Sequence, residues 1–298
     1  MAGARTQGSG PGTLGGIGLI LLAGLCFVCM QAAAKAGTQA GYSPVQVAWA
    51  RFSLHLVLVV VIVPGSARQV LRTGRTGLQL FRSALLVLST ICSFAALARL
   101  PLAQMNVITF VAPLFVMAFA AIGLREQVGW RRWTAAAAGL AGVVLVARPD
   151  GFVVSTGVLY ALAMAVFYAL YQVITRALAP TAPTLVGLFY AAFLGAVTCS
   201  IAVPFFWRTP DLSGWMLLAL PALFGGMGHY LLIRACERAP ASLLAPFMYC
   251  ELLWSLSLGF MLFDHWPAPA TFAGALIIIA SGLYVWQGER RAARTGRQ

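Results

Sequence analysis

The chain has 298 residues, 61% of them hydrophobic and only 9% charged, with a formal net charge of +13. Soluble domains carry about 25% charged residues, so this composition excludes a soluble enzyme and marks an integral membrane protein. Nucleic acid is excluded as a partner as well, because the basic residues fall in short clusters between apolar runs and read as topology signals rather than as one basic face.

The apolar runs are about 20 residues long, the length of a helix crossing a bilayer, and lack the ~10-residue alternation of a barrel strand. The predicted fold class is therefore an all-α membrane protein. Residues 1–13 are rich in Gly, Ser and Thr and read as a disordered tail. The predicted spans are Leu14–Ala36, Pro44–Val63, Gly77–Ala98, Leu102–Leu124 and Trp133–Ala147, then Gly157–Arg176, Thr184–Val203, Leu212–Ile233, Ser242–Phe263 and Ala270–Trp286. That makes ten transmembrane helices, with a basic tail over residues 289–298. Proline and glycine punctuate the connections, at Pro64-Gly65, Pro149, Pro180, Pro183, Pro204, Pro210, Pro267 and Pro269. Arg5, the first apolar run and Ala32-Ala-Ala34 also resemble a signal peptide, but that run has a counterpart in mid-chain that no peptidase would remove.

With the N-terminus inside, fourteen basic residues fall on the inner side and four (Lys35, Arg99, Arg148, Arg208) on the outer, leaving Arg51 and Arg82 within spans. The positive-inside rule then places both termini in the cytoplasm. Only Lys35 among the 20 basic residues is lysine, a bias of GC-rich bacterial genomes, so the predicted location is a bacterial inner membrane. Cys26 and Cys29 have metal-motif spacing but no His or acid nearby, and all six cysteines read as packing residues in apolar runs. No disulfide, metal or cofactor is expected.

The two halves align. Phe27, Gln31 and Lys35 match Tyr168, Gln172 and Arg176 at an offset of 141 residues (172 minus 31). Arg99 and Pro101 match Arg238 and Pro240 at 139, and Gly142 matches Gly282 at 140. An odd number of spans per half makes the second half enter the membrane from the opposite side. Inverted repeats of this kind build secondary transporters, in which one part rocks against another around a midplane site. A symmetric scaffold or channel is the alternative.

The halves resemble the EamA domains of the drug/metabolite transporter superfamily, over residues 14–150 and 151–288. The likeness is carried by Leu100-Pro-Leu-Ala, Ala112-Pro-Leu-Phe, Glu126 before Trp130, and Gly139 with Gly142 in the first half. In the second it is carried by Ala239-Pro-Ala-Ser, Ala245-Pro-Phe-Met-Tyr-Cys-Glu251, Leu258-Gly-Phe, Asp264-His-Trp-Pro267, Gly274 and Gly282, with Asp264 standing where the family often has Glu. The resemblance implies export of amino acids, nucleosides or other small metabolites, with amino acids the expected substrate.

Residue patterns give candidate binding groups. Helical periodicity puts Glu251, Trp254 and Ser255 on one face of the ninth span, with Phe247 and Met248 a turn earlier, and Tyr249 in the same span is a further candidate. A carboxylate there could receive an ammonium beside Trp254, carry a proton, or serve packing alone. Tyr168, Tyr171 and Gln172 share a face of the sixth span, as do Phe27, Met30 and Gln31 in the first. Such aromatic stripes suit a cavity for amphiphilic solutes, while the glutamines could equally anchor helix ends. Asn106, Thr109 and Pro113 share a face of the fourth span, where Pro113 removes a backbone hydrogen bond. In the eighth, His229 follows Gly225-Gly-Met-Gly228 and could titrate, bond a solute or pack. Arg51 and His55 lie one turn apart in the second span, and the sequence assigns Arg51 no partner. Spans five and ten carry small-x3-small patterns (Ala135/Gly139, Ala138/Gly142, Ala270/Gly274) and read as packing for the scaffold or a homodimer.

An intramembrane enzyme would need a catalytic set, and the chain has neither His-Glu-x-x-His nor Gly-x-Ser-x-Gly; it has no Walker lysine motif for ATP either. The expected function is a secondary transporter, monomeric or homodimeric, exporting amino acids by alternating access. A carrier of a nucleoside or drug-like solute, and a channel, are the other readings.

Overall fold

The computed structural model describes residues 11–62, 75–123, 130–147, 155–178, 184–238, 244 and 247–295, and every regular element among them is helical. Helices α1 (Pro11–Gln39), α2 (Pro44–Ile62) and α3 (Thr76–Leu97) are followed by two short helices in line, α4 (Leu102–Thr109) and α5 (Ala112–Gly123), and by α6 (Trp130–Ala147). Then come α7 (Thr156–Leu178), α8 (Thr184–Ala202) with a 3-10 turn at Val203–Phe206, α9 (Leu212–Arg238), α10 (Cys250–Phe263) and α11 (Pro269–Thr295). Among the described residues, seven helices are long and apolar enough to cross a membrane, and Ala137–Val146, Cys250–Phe263 and Pro269–Tyr284 are shorter apolar segments. In hydrocarbon every backbone N–H and C=O must find a partner within the protein, which is why these runs are helices.

Helix starts follow from local chemistry. Proline stands first in α1, α2 and α11, where its missing N–H costs nothing. Ser43 Oγ accepts the Gln46 N–H at 3.1 Å and Ser155 Oγ accepts the Val158 N–H at 3.3 Å, capping α2 and α7. Asp211 caps α9 by accepting the Gly214 N–H at 2.7 Å. Its carboxyl is held below the usual aspartate range by that bond and by the Ser213 hydroxyl.

Three sequence expectations are corrected. The helix predicted over Leu102–Leu124 is broken: α4 stops at Thr109 and α5 starts at Ala112, with Phe110 and Val111 in a turn. Pro113 explains the position, since a proline clashes with the carbonyl four residues earlier, here that of Thr109. The turn is stitched by bonds to carbonyls three residues back, Phe110 N–H to Val107 at 3.2 Å and Val111 N–H to Ile108 at 3.1 Å. The ninth span is likewise not one even helix, because Tyr249 is a turn residue between helical Phe247–Met248 and α10. Residues 242, 243, 245 and 246 of that predicted span lie outside the described residues. At the ends of the chain, α1 runs from Pro11 and α11 runs to Thr295. Ala, Glu, Gln and Arg, which dominate residues 287–294, are strong helix formers. Lys35, counted with the outer loops, is buried instead. Its ammonium donates to the carbonyls of Leu97 (3.0 Å) and Leu100 (2.8 Å), at the end of α3 where carbonyls lack helical partners.

The packing has an exchange pattern. The most extensive contacts join α1 to α9 and α3 to α7, followed by α6 with α11 and α2 with α8. Lesser contacts pair off in the same way: α3 with α8 and α2 with α9, then α5 with α7 and α1 with α10. Small residues let α6 and α11 close up, and a Cβ on Gly142 would lie 2.9 Å from the Gly274 carbonyl oxygen. The main buried cluster runs through α1 to α4 and α7, with Phe94, Leu97, Leu102, Met105 and Ile108 at its centre. Val61, Ile201, Leu212 and Leu276 are among the exposed apolar side chains of the outer surface, the kind of surface acyl chains cover.

Candidate functional site

Five helices converge where α10 begins. Because the ninth span restarts at Cys250, Glu251 falls in the first turn of α10. Its side chain lies across Gly24 of α1, where a Cβ would stand 2.9 Å from Glu251 Cγ. Higher up the same pair of helices, Lys35 Nζ sits 5.5 Å from the Phe263 ring centroid. The spacings from Gly24 to Lys35 and from Glu251 to Phe263 differ by one residue, so α1 and α10 run parallel in constant register. Glu251 is half-buried and pairs with no cation among the described residues.

Facing it are groups from α2, α7 and α9. Gly225, Gly226 and Gly228 make a shallow floor on α9 that receives Met30, His55 and Phe27. The Phe27 and His229 rings meet edge to face with centroids 5.0 Å apart. His55 Nε2 donates to the Ala222 carbonyl at 2.9 Å, which fixes the ring. One turn earlier on α2, Arg51 lies over the rings of Phe94 (5.8 Å) and Phe52 (5.9 Å). Its Nε is buried without a hydrogen-bond partner among the described residues, and no carboxylate pairs with the guanidinium there. Arg51 is within electrostatic range of His55 and His229.

Tyr168 is within electrostatic range of both Arg51 and Glu251. It keeps 37% of its surface exposed. Tyr171 stacks on it with centroids 6.0 Å apart. Trp254, one turn beyond Glu251, is half-buried with an unpartnered Nε1, and the Gln31 Oε1 is buried without a partner as well. Unmet polar atoms of this kind cost about 1–3 kcal/mol each unless water or a ligand reaches them. The arrangement can hold a small molecule with a negative end at Arg51, a positive end at Glu251 and an apolar body against Phe27, Tyr168 and Trp254.

The structure therefore brings Phe27, Tyr168, Tyr171, His229, Glu251 and Trp254 together, with Gln31 on α1. Thr109 is outside this group, its hydroxyl spent on the Met105 carbonyl of its own helix at 2.9 Å. Tyr249 turns to the other side: its ring lies beside Phe110, and its hydroxyl fills the space next to Gly282 on α11. Asn106 is buried in the core, with its Nδ2 unpartnered and its carbonyl accepting the Phe110 N–H at the helix break. Gln172 is half-buried on α7. Arg51 and His55 are the additions. Their i, i+4 spacing was visible in the sequence, but their partners come from α3 and α9, which spacing within α2 cannot reveal.

A cavity of about 230 Å3 lies where the start of α4 meets the loop after α10, lined by Pro101, Gln104, His265, Trp266 and Thr271 among others. The His265 imidazole there is held below its ordinary pKa by removal from water and by nearby Lys35. Among the described residues no group of three or more His, Cys, Asp or Glu side chains could hold a metal ion.

A protein-family profile described as "EamA-like transporter family" matches the chain twice, over residues 14–148 and 155–286. An S-adenosylmethionine uptake transporter of Rickettsia bellii is 28% identical over 247 residues, covering 83% of this chain and 85% of the relative. A riboflavin transporter of Vibrio cholerae is 26% identical over 283 residues, covering 93% and 95%. A protein crystal structure superposes with a TM-score of 0.65 over 94% of this chain and 98% of its own, at 23% identity, a likeness of fold.

Proposed function

We propose, for a chain that belongs to the EamA-like transporter family, that it is a secondary carrier of small metabolites bearing an amino-acid head group, held between Arg51 and Glu251. Family and relatives are transporters rather than enzymes, and the chain is a multi-pass membrane protein. The observation that carries the reading is the pair of opposite charges, unpaired with each other among the described residues, that both lie within electrostatic range of Tyr168. A zwitterion satisfies both at once, its carboxylate on the guanidinium fork and its ammonium between Glu251 and the aromatic rings. Amino acids have this head group, and so does S-adenosylmethionine, which relatives are named for. Phe27, Gln31, Tyr168, Tyr171, His229, Glu251 and Trp254 line the path in this reading, with Asn106, Thr109, Gln172 and Tyr249 around the moving helix breaks.

The architecture we infer is ten helices in two inverted five-helix repeats, residues 14–150 and 151–288, with both termini in the cytoplasm of a bacterial inner membrane and the chain a monomer or homodimer. The exchange pattern of packing supports it, since swapping the halves turns each of the most extensive helix pairs either into another of them or into itself. The helix breaks at Phe110–Val111 and at Tyr249 support it too, because discontinuous helices at corresponding places are where such carriers bind and move. Direction follows the gradients: a carrier without ATP chemistry runs either way, so export and uptake are the same machine under different loads.

Counterflow into liposomes preloaded with unlabelled solute tests the reading. Saturable uptake of a labelled amino acid or S-adenosylmethionine is expected. Flux that does not saturate would make the protein a channel, and counterflow of riboflavin alone would move the reading to flat aromatic solutes, for which the Tyr168–Tyr171 stack is the favouring observation.

A further inference from the structure

We propose that α3, α7 and α8 enclose a second subsite, built on Arg82 and Gln79, that binds the carboxylate or phosphate of an anion. It lies at the end of the bundle where α3 and α8 begin and α7 stops. At 1.5 Å per residue, Arg82 is roughly 9 Å into α3, Tyr171 roughly 10 Å from the end of α7 and Gly187 roughly 5 Å into α8, so the three share a layer.

Arg82 is only 6% exposed. Its Nη2 donates to the Gly187 carbonyl at 2.6 Å, and only glycine leaves room, since a Cβ there would stand 2.5 Å from that nitrogen. The guanidinium lies over the Tyr171 ring, 5.5 Å from its centroid. Its Nε is buried and unpartnered, and no carboxylate pairs with the group among the described residues. One turn earlier on the same face of α3, Gln79 is fully buried with neither its Nε2 nor its Oε1 satisfied. A full positive charge thus sits beside an amide whose donors are idle, inside an apolar bundle.

A buried cation without a counter-charge is unstable, and an anion is its natural complement. The guanidinium fork matches a carboxylate or phosphate in a bidentate way, and the Gln79 amide adds a neutral donor beside it. Two sources have this chemistry, an anionic group of a solute in transit and the phosphate of a lipid headgroup at the edge of the bundle. The stacked Tyr171 and Tyr168 rings connect the subsite to the Glu251 cluster.

The test is thermal unfolding of the purified full chain while acetate or inorganic phosphate replaces chloride at constant ionic strength. A saturating rise in midpoint is expected for the wild type, with at least tenfold weaker apparent affinity in Arg82→Gln and an unchanged response in Arg51→Gln. That last arm separates this subsite from the zwitterion site, because either can fail alone. A flat wild-type response, or an equal rise in Arg82→Gln, overturns the proposal. Should Arg82→Gln not fold, Gln79→Leu carries the test, and an apparent affinity equal to the wild type's overturns it. Repeating the titration in phosphatidylcholine discs with and without phosphatidylglycerol assigns the source: Arg82-dependent competition by the anionic lipid identifies a headgroup, and its absence a soluble anion.

Discussion

Phe110 and Tyr249 meet with ring centroids 5.2 Å apart, each at the point where its helix is interrupted. They are 139 residues apart (249 minus 110), the spacing that also separates Arg99 from Arg238. Equivalent residues of two related halves touch only near the axis that relates them, so this contact marks the centre of the proposed pseudo-symmetry. Both breaks are therefore placed where one half can pivot on the other.

If the break at Phe110–Val111 is a working hinge, restoring the helix should impair movement without harming the fold. Pro113→Ala gives back an N–H and removes the clash with the Thr109 carbonyl, relieving a constraint of about 3 kcal/mol. The variant is expected to melt at or above the wild-type temperature while counterflow falls at least tenfold. Wild-type flux would show that the turn is only a kink.

Glu251 and Arg51 have no ion pair to lose among the described residues, so their substitutions should act on transport far more than on stability. Glu251→Gln and Arg51→Gln are each expected to cut counterflow more than tenfold, with melting temperatures within a few degrees of the wild type. Gly24→Ala refines the point, because its Cβ would stand 2.9 Å from Glu251 Cγ and must displace that side chain. A raised KM with a nearly unchanged maximal rate is expected, and an unchanged KM would place the solute elsewhere.

Asp211 provides a pH test outside the membrane. Its carboxyl is held below the usual range by the Gly214 N–H and the Ser213 hydroxyl. A depressed folded-state pKa means that the cap stabilises fully above the unfolded-state value, about 4, and fades as pH falls through the folded-state value. The melting-temperature gap between wild type and Asp211→Ala should thus stay constant from neutral pH to about 5 and shrink below about 4. A gap that widens in acid would contradict the cap.

Most of the helices were legible in the sequence because they coincide with long apolar runs, whereas the breaks at Phe110–Val111 and Tyr249 lie inside such runs. Glu251 was legible for the same reason, as a carboxylate in such a run. What could not be read is what depends on three-dimensional neighbours. Thr109 and Tyr249 were singled out by polarity, yet the one bonds its own helix and the other packs against Gly282. Arg51 was visible but partnerless, since Phe94, Tyr168 and His229 reach it from helices distant in sequence. Arg82 was visible only as a base within a span, since Gly187 and Tyr171 close around it from other helices.

The inverted arrangement makes a prediction independent of any substrate. Thr38 lies at the end of α1, where its hydroxyl donates to the Lys35 carbonyl at 2.8 Å. With an offset of 141 in this part of the chain, the equivalent position in the second half is close to Thr181, just after the α7 counterpart of α1. Five spans separate the two positions, an odd number, so they must face opposite sides of the membrane. Single cysteines at Thr38 and Thr181, in a background lacking the native six, are expected to react with a membrane-impermeant maleimide from opposite sides, Thr38 in intact cells and Thr181 only after permeabilisation. Labelling of both from one side would require an even number of crossings between them. The repeats would then be parallel, and a rocking mechanism about the Phe110–Tyr249 contact would have no axis to turn on.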